Sequence, residues 1–193
     1  VLVLVVGLVV SHLRSRPDVV YTPLSGDVTM PGAVLTDTDG QPFDLRAETA
    51  GHITMLFFGY TSCPDACPIQ MAVLGRAFTD LPGSVRDDLR VVFVSTDPAR
   101  DTPDVLRSYL DQFDETFVGL SGDRAALRTA QLEAGVPVAT VDTPDDDGDY
   151  LVGHATQVLV FDRDGVARRA YPLGVRQNDW VADLTAIVED DGA

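Results

Sequence analysis

Two uninterrupted apolar runs mark the centre of this chain. Residues 52–60 read HITMLFFGY and residues 90–96 read RVVFVST. Apolar runs of about four to eight residues are typical of strands that are covered on both faces. The pattern therefore predicts two central strands in one buried sheet.

Helical signals follow these runs and recur later in the chain. Pro64 stands where a helix can begin after the first run, and Thr102 is the expected N-cap after the second. Asp123 begins a further predicted helix, which Gly135 closes, and Asn178 is expected to cap the last helix. Strands that alternate with helices in this way predict an α/β fold.

Two dipeptides, Asp39-Gly40 and Asp164-Gly165, lie between segments of strand character. Asp-Gly is favoured in tight hairpin turns, so each dipeptide predicts a β-hairpin. One hairpin precedes the central strands and the other precedes the last helix. The expected architecture is a three-layer sandwich with a mixed central sheet and an N-terminal β-hairpin extension.

The N-terminus differs from the rest of the chain because its first ten positions, VLVLVVGLVV, are apolar. This run is too short to span a bilayer, which takes about 20 residues. We interpret residues 1–13 as part of a membrane anchor or signal segment, 14–27 as a linker and 28–193 as the folded domain. A buried N-terminal strand is the alternative. An anchor would place the domain on the extracytoplasmic side, where thiols tend to oxidise.

Composition narrows the classes of function. The 193 residues carry a net charge of −16, and the 14 basic residues are all arginine. Nucleic-acid binding is not expected, because phosphates require a basic surface. Chemistry that depends on lysine is also excluded. A basic protein partner, a high-salt setting or solubility alone would each be compatible with such an acidic chain.

The only two cysteines, Cys63 and Cys67, lie in the stretch FFGYTSCPDACPIQM, directly after the first apolar run. Residues four apart on a helix hold their Cβ atoms about 5–6 Å apart, whereas a disulfide needs about 3.5–4.5 Å. A metal ion bridges the wider gap, since each metal–sulfur bond adds about 2.3 Å for zinc. The spacing favours a metal site and leaves open a redox pair or a structural disulfide.

A third ligand would complete such a site. Of the 3 histidines, His12 lies in the apolar N-terminus and His52 begins a strand, so both are interpreted as incidental. His154 stands in DYLVGHATQVLVFD, just before a strongly apolar strand. Two thiolates and one imidazole form a soft set that suits copper, whereas structural zinc normally takes a fourth protein ligand.

These residues together resemble the Sco/SenC family, the thioredoxin-like, copper-binding assembly factors of cytochrome c oxidase. The resemblance rests on GYTSCPDACP, STDPARDTP, GLSG and DYLVGH before VLVFDRDG, in this order over residues 34–180. It implies a thioredoxin-like fold and copper, as Cu(I) or Cu(II), held by Cys63, Cys67 and His154. It also implies a membrane anchor and a domain on the oxidising side of the membrane.

The implied activity is delivery of copper to the dinuclear centre in the copper-bearing subunit of the oxidase. The alternative is a thiol–disulfide oxidoreductase that reduces the cysteines of that subunit, with Cys63 and Cys67 as the catalytic redox pair. Either activity requires a copper donor or a thiol reductant as a further partner. One departure from the family is Gly153, where an acidic residue commonly precedes the histidine.

Three other readings compete with the family resemblance. A peroxiredoxin-like peroxidase is disfavoured because Thr61 lies two residues before Cys63 instead of three. In a non-catalytic interaction module, the two cysteines would form a structural disulfide. The acidic loop DTPDDDGDY could suggest calcium binding, but it lacks the ligand order of an EF-hand and is interpreted as a solvated turn.

The aspartates of DPARDTP, Asp97 and Asp101, are interpreted as structural turn and cap residues.

Overall fold

The structure, a computed structural model, describes residues 21–191. Over this range the chain forms ten strands and six helices. The strands are β1 (Thr22–Thr29), β2 (Val34–Asp37), β3 (Pro42–Asp44), β4 (Ile53–Gly59), β5 (Leu89–Ser95), β6 (Val118–Ser121), β7 (Thr140–Val141), β8 (Val152–Gly153), β9 (Val158–Phe161) and β10 (Val166–Tyr171). The helices are α1 (Leu45–Thr49), α2 (Ala66–Asp80), α3 (Gly83–Arg86), α4 (Pro103–Leu110), α5 (Arg124–Glu133) and α6 (Gln177–Asp191).

Eight strands form one mixed sheet in the order β1-β10-β9-β4-β5-β6-β2-β3. The central strands β4, β5 and β6 are parallel, and the remaining neighbours are antiparallel. The N-terminal hairpin β2–β3 extends the sheet at the β6 edge. Strands β7 and β8 form a separate two-stranded ribbon.

Burial on both faces of β4 accounts for its continuous apolar sequence. Met55 and Phe57 pack into a core with α2, α4 and α6, whereas Leu56 and Phe58 pack into a second core with α1 and α5. Successive side chains of a strand point to opposite faces, so a strand between two helical layers is apolar at nearly every position; the exception in β4 is Thr54, whose hydroxyl donates to the His52 carbonyl. The predicted three-layer α/β sandwich is confirmed.

Most local signals are also confirmed. Turns at Asp39-Gly40 and Asp164-Gly165 join β2 to β3 and β9 to β10. The Thr102 side chain accepts the Val105 N–H at 3.4 Å and caps α4.

Two helix starts differ from prediction. Helix α2 begins at Ala66 instead of Pro64, because the Asp65 side chain accepts the Ala66 N–H. Asn178 lies inside α6 and is not its N-cap. The Trp180 N–H donates to the Arg176 carbonyl, so the first turn begins before Asn178 and contains it.

The N-terminal part of the described chain is more ordered than a linker. Residues 22–27, which were expected to be linker, lie in β1, which pairs with β10 through Thr22↔Ala170 and Val28↔Ala167. The predicted anchor at residues 1–13 lies outside the described residues, as does His12. No helix within residues 21–191 is both long and apolar enough to cross a membrane.

Candidate metal centre

The two cysteines lie at the junction between β4 and α2. Cys63 is in the turn before the helix, and its N–H donates to the Tyr60 carbonyl at 3.2 Å. Cys67 occupies the first turn of α2. The spacing of regular helical neighbours therefore does not apply to this pair, because Cys63 is outside the helix. Both cysteines are free thiols.

His154 reaches the cysteines from the other end of the chain. It directly follows β8, and its Nε2 atom lies 3.5 Å from Cys67 Sγ and 3.8 Å from Cys63 Sγ. Its Nδ1 atom lies 2.8 Å from the Ala155 carbonyl oxygen. A carbonyl can only accept, so Nδ1 carries the proton and Nε2 presents its lone pair to the two sulfurs.

The spacing of the three atoms is that of ligands around a common centre. The two sulfurs and the imidazole nitrogen all lie within 4.8 Å of one another. For bond lengths of about 2.3 Å to sulfur and 2.0–2.1 Å to nitrogen, angles of about 110–120° place S and N about 3.6–3.8 Å apart. The 3.5 and 3.8 Å separations are close to these values. The arrangement is thus already suited to one metal ion.

Burial distinguishes the two thiols. Cys67 is 0% exposed and Cys63 is 8% exposed. Burial raises the pKa of the Cys67 thiol well above its usual range, and the neighbouring Cys63 raises it further. The Cys67 thiol is therefore protonated at neutral pH.

The surroundings of the sulfurs are tightly packed. The His154 ring stands edge-on to Phe57 and Tyr60, with centroid separations of 5.9 and 5.6 Å. A Cβ atom added at Gly59 would lie 2.7 Å from Cys67 Sγ. Residue 59 must therefore be glycine for Cys67 Sγ to keep its position. The sequence pattern alone gave no sign of this requirement.

Gly153 also has a local explanation. It pairs with Thr140 across the β7–β8 ribbon, and an added Cβ would lie 2.8 Å from Thr140 Oγ1. A side chain here would thus force the Thr140 hydroxyl to move, whereas the nearest backbone atom, the Thr140 carbonyl oxygen, is 3.8 Å away. Asp149 lies on the exposed acidic loop, with its N–H bonded to Asp145 Oδ1, and it lines the cleft beside the Cys63 turn.

Asp97 lies in a turn, as predicted, because its carbonyl accepts the Arg100 N–H, but Asp101 is not a cap, since Thr102 caps α4. The side-chain partners of both aspartates were missed. Asp101 accepts hydrogen bonds from Thr61 beside the cysteines, and Asp97 accepts one from Tyr150 in the segment before His154. The stretches that make these contacts, GYTSCPDACP, DPARDTP and DYLVGH, were all visible in the sequence. Their contact depends on the return of the chain over about 50 residues, which no local pattern encodes.

The other candidate positions remain apart from this centre. His52 lies at the start of β4, where its Nε2 atom is 2.8 Å from Arg90. In the acidic loop, Asp145 Oδ1 accepts the N–H groups of Asp147 and Asp149, as in a solvated turn. Among residues 21–191, the group Cys63, Cys67 and His154 is the one cluster of three or more His, Cys, Asp or Glu with metal-site spacing.

A cleft of about 520 Å³ opens beside the Cys63 turn. Its lining includes Ser62 and Pro64, the two neighbours of Cys63, together with Asp149 and Leu151 from the segment before His154. Cys63 itself is 8% exposed, whereas Cys67 is fully buried.

Comparison with known proteins agrees with this geometry. The SCO1/SenC family model matches residues 28–189. The chain belongs to the SCO1/SenC family. A SCO2-like protein of Rickettsia prowazekii is 30% identical over 141 residues, which cover 73% of this chain and 68% of the relative.

Two solved SCO1/SenC structures share the fold. ScoI of Bradyrhizobium japonicum, solved with copper bound, is 33% identical, with a TM-score of 0.74 over 83% of this chain and 99% of that one. Apo Sco1 of Thermus thermophilus is also 33% identical, with a TM-score of 0.76 over 86% of this chain and 95% of that one. The expected thioredoxin-like fold of the family is confirmed.

Proposed function

We propose that this protein is a copper metallochaperone that carries one copper ion on Cys63 Sγ, Cys67 Sγ and His154 Nε2. The observation that supports this proposal is the convergence of these three atoms within 4.8 Å of one another. The copper-bound relative from Bradyrhizobium japonicum, at 33% identity, supports copper as the cargo.

The donor set explains the preference for copper. Two thiolates and an imidazole are soft ligands, which suit Cu(I), and the imidazole also suits Cu(II). The bond from Nδ1 to the Ala155 carbonyl fixes the orientation of the ring and makes Nε2 a better donor. Copper uptake displaces the proton of the buried Cys67 thiol, so uptake is favoured as pH rises.

Membership of the family suggests where the copper goes. We infer that the recipient is the copper-bearing subunit of cytochrome c oxidase, which receives the ion at its dinuclear centre. Transfer between proteins requires an accessible side of the site. Cys63 is 8% exposed and its neighbours Ser62 and Pro64 line the open cleft, whereas Cys67 is fully buried. A copper donor or thiol reductant would load the site. We also propose that the domain lies on the extracytoplasmic side of a membrane and is anchored through residues 1–13.

A second candidate function is reduction of the cysteines of that oxidase subunit. The position of Cys63 in a turn favours it, because a turn can bring the two sulfurs together more easily than two positions on one helix. This activity would need both cysteines but not the imidazole.

The substitution His154→Ala separates the two functions, with His52→Ala as the matched control. Each purified, reduced variant is titrated with Cu(I) against a competing chelator, and with Cu(II) while sulfur-to-copper charge-transfer absorption is recorded. The parent and His52→Ala should bind one copper ion per chain with equal affinity. His154→Ala should bind copper at least about 100-fold more weakly, because one of three ligands is lost, and should keep its disulfide-reducing activity.

Equal copper affinity of His154→Ala and the parent would refute the three-ligand site. A parent that binds no copper but reduces a model disulfide would refute the metallochaperone and favour the reductase.

A further inference from the structure

The candidate ligands come from two distant parts of the chain. His154 is 91 residues from Cys63 and 87 from Cys67. Each part is held by hydrogen bonds to a third segment, residues 97–101 (DPARD), between β5 and α4. We call this segment the 97–101 clamp.

One end of the clamp holds the cysteine turn. The carboxylate of Asp101 accepts the Thr61 hydroxyl at 2.6 Å and the Thr61 N–H at 3.2 Å. Its second oxygen accepts the Ser95 hydroxyl at 2.6 Å. Thr61 is two residues before Cys63, so these bonds fix the turn that carries the first sulfur.

The other end of the clamp holds the segment before His154. The Arg100 Nη2 atom donates to the Tyr150 carbonyl at 3.0 Å, and its guanidinium lies 3.7 Å from the centre of the Tyr150 ring. Asp97 pairs with the Arg100 Nε atom and accepts the Tyr150 hydroxyl at 2.9 Å. Tyr150 is therefore held through its backbone, its ring and its hydroxyl.

Burial makes this network selective for one geometry. Asp97 is 2% exposed and Asp101 is 1% exposed. A buried carboxylate that loses its partners is not rehydrated, so alternative arrangements of the two segments are strongly disfavoured. Arg100 has the further advantage of a planar fork, which can bond a carboxylate and a carbonyl while stacking on a ring.

We propose that Arg100 is a positioning residue, which holds the His154 segment at bonding distance from the cysteine turn before copper arrives. This inference rests on the proposed copper site, although the positioning itself can be measured without metal. Preorganisation of this kind raises affinity, because the ordering of the ligands is completed before binding.

The test compares Arg100→Met with Arg107→Met. Arg107 is a matched control, since it pairs with Asp111 at 2.7 Å and donates to the Phe117 carbonyl at 2.9 Å, away from the segments that carry the candidate ligands. Copper affinity is measured by chelator competition, and amide hydrogen exchange of residues 150–155 is measured in the metal-free, reduced protein. Arg100→Met should weaken copper binding about tenfold, which is within the loss of metal affinity that follows substitution of residues that orient metal ligands. It should also speed amide exchange at residues 150–155 about tenfold. Arg107→Met should change neither.

Two further variants keep the proposal open to refutation. Arg100→Lys retains the charge but not the fork, so it should behave as Arg100→Met does; parental affinity in this variant would show that charge alone acts and would overturn the proposal. Tyr150→Phe removes only the hydroxyl bond to Asp97 and should give a smaller effect of the same sign, even if Arg100→Met fails to fold. Unchanged exchange at 150–155 in Arg100→Met also overturns the proposal. A parent without copper affinity would refute the proposed function, and the exchange result would still decide on positioning.

Discussion

Gly59 is the position where one added methyl group should disturb the site most directly. In Gly59→Ala the new Cβ would lie 2.7 Å from both Cys67 Sγ and Phe57 Cε1, and 3.1 Å from Phe93 Cε2. Ordinary van der Waals contact begins at 3.4 Å, so the sulfur or the strand must move by about 0.7 Å. Cys67 is completely buried in the core that also contains Phe57 and Phe93.

The expected magnitude follows from this overlap. Overpacking of a core by one methyl group costs about 1–3 kcal/mol of the free energy of unfolding, which lowers the melting temperature by about 2–12 °C in a chain of this size. Metal sites tolerate deviations of about 0.2 Å in ligand distance, so a 0.7 Å displacement of the sulfur should weaken copper binding about tenfold or more.

The assay combines thermal unfolding of the metal-free, reduced protein with copper titration well below the melting temperature. Gly83→Ala is the control, because its Cβ would contact nothing within 4 Å and alanine is favoured over glycine in a helix. Parental stability in Gly59→Ala would refute the packing argument. Lower stability with parental copper affinity would show that the strand moves and that Cys67 keeps its position.

Two further predictions concern Cys67 and Gly153. Burial raises the pKa of the Cys67 thiol in the folded state above the ordinary value of 9.0, so the stabilisation it gives should be complete below pH 9 and lost above it. In urea unfolding of the reduced, metal-free protein, the free energy of unfolding of the parent should fall by up to about 1.4 kcal/mol per pH unit relative to that of Cys67→Ala. Parallel pH profiles of the two proteins would contradict this prediction. Gly153→Asp should destabilise the protein through the collision of the new side chain with Thr140. In a double-mutant cycle, adding Thr140→Ala should recover at least about 0.5 kcal/mol of the lost free energy of unfolding. Simple additivity of the two substitutions would exclude the collision.

Local patterns in the sequence were sufficient where a few neighbouring residues determine the conformation. The Thr102 cap of α4 and the Asp-Gly hairpins depend on side chains and backbone angles within one turn, and they were predicted correctly. Strand β1 was not recognised, because an edge strand with Pro23 and Gly26 has no strong apolar alternation and depends on pairing with β10. Strands β7 and β8, two residues each, are too short to give any periodic signal.

For the candidate site, the sequence by itself determined the chemistry: two thiols and one imidazole, with the types and order that the family resemblance requires. Tertiary structure decided whether these groups meet, how deeply each is buried, and what holds them. The distances from His154 to the sulfurs, the requirement for Gly59 and the contacts of residues 97–101 all join parts of the chain that are far apart in sequence. Such contacts arise only when the sheet order brings several loops to one edge, and this order depends on packing of the whole chain instead of on any short segment.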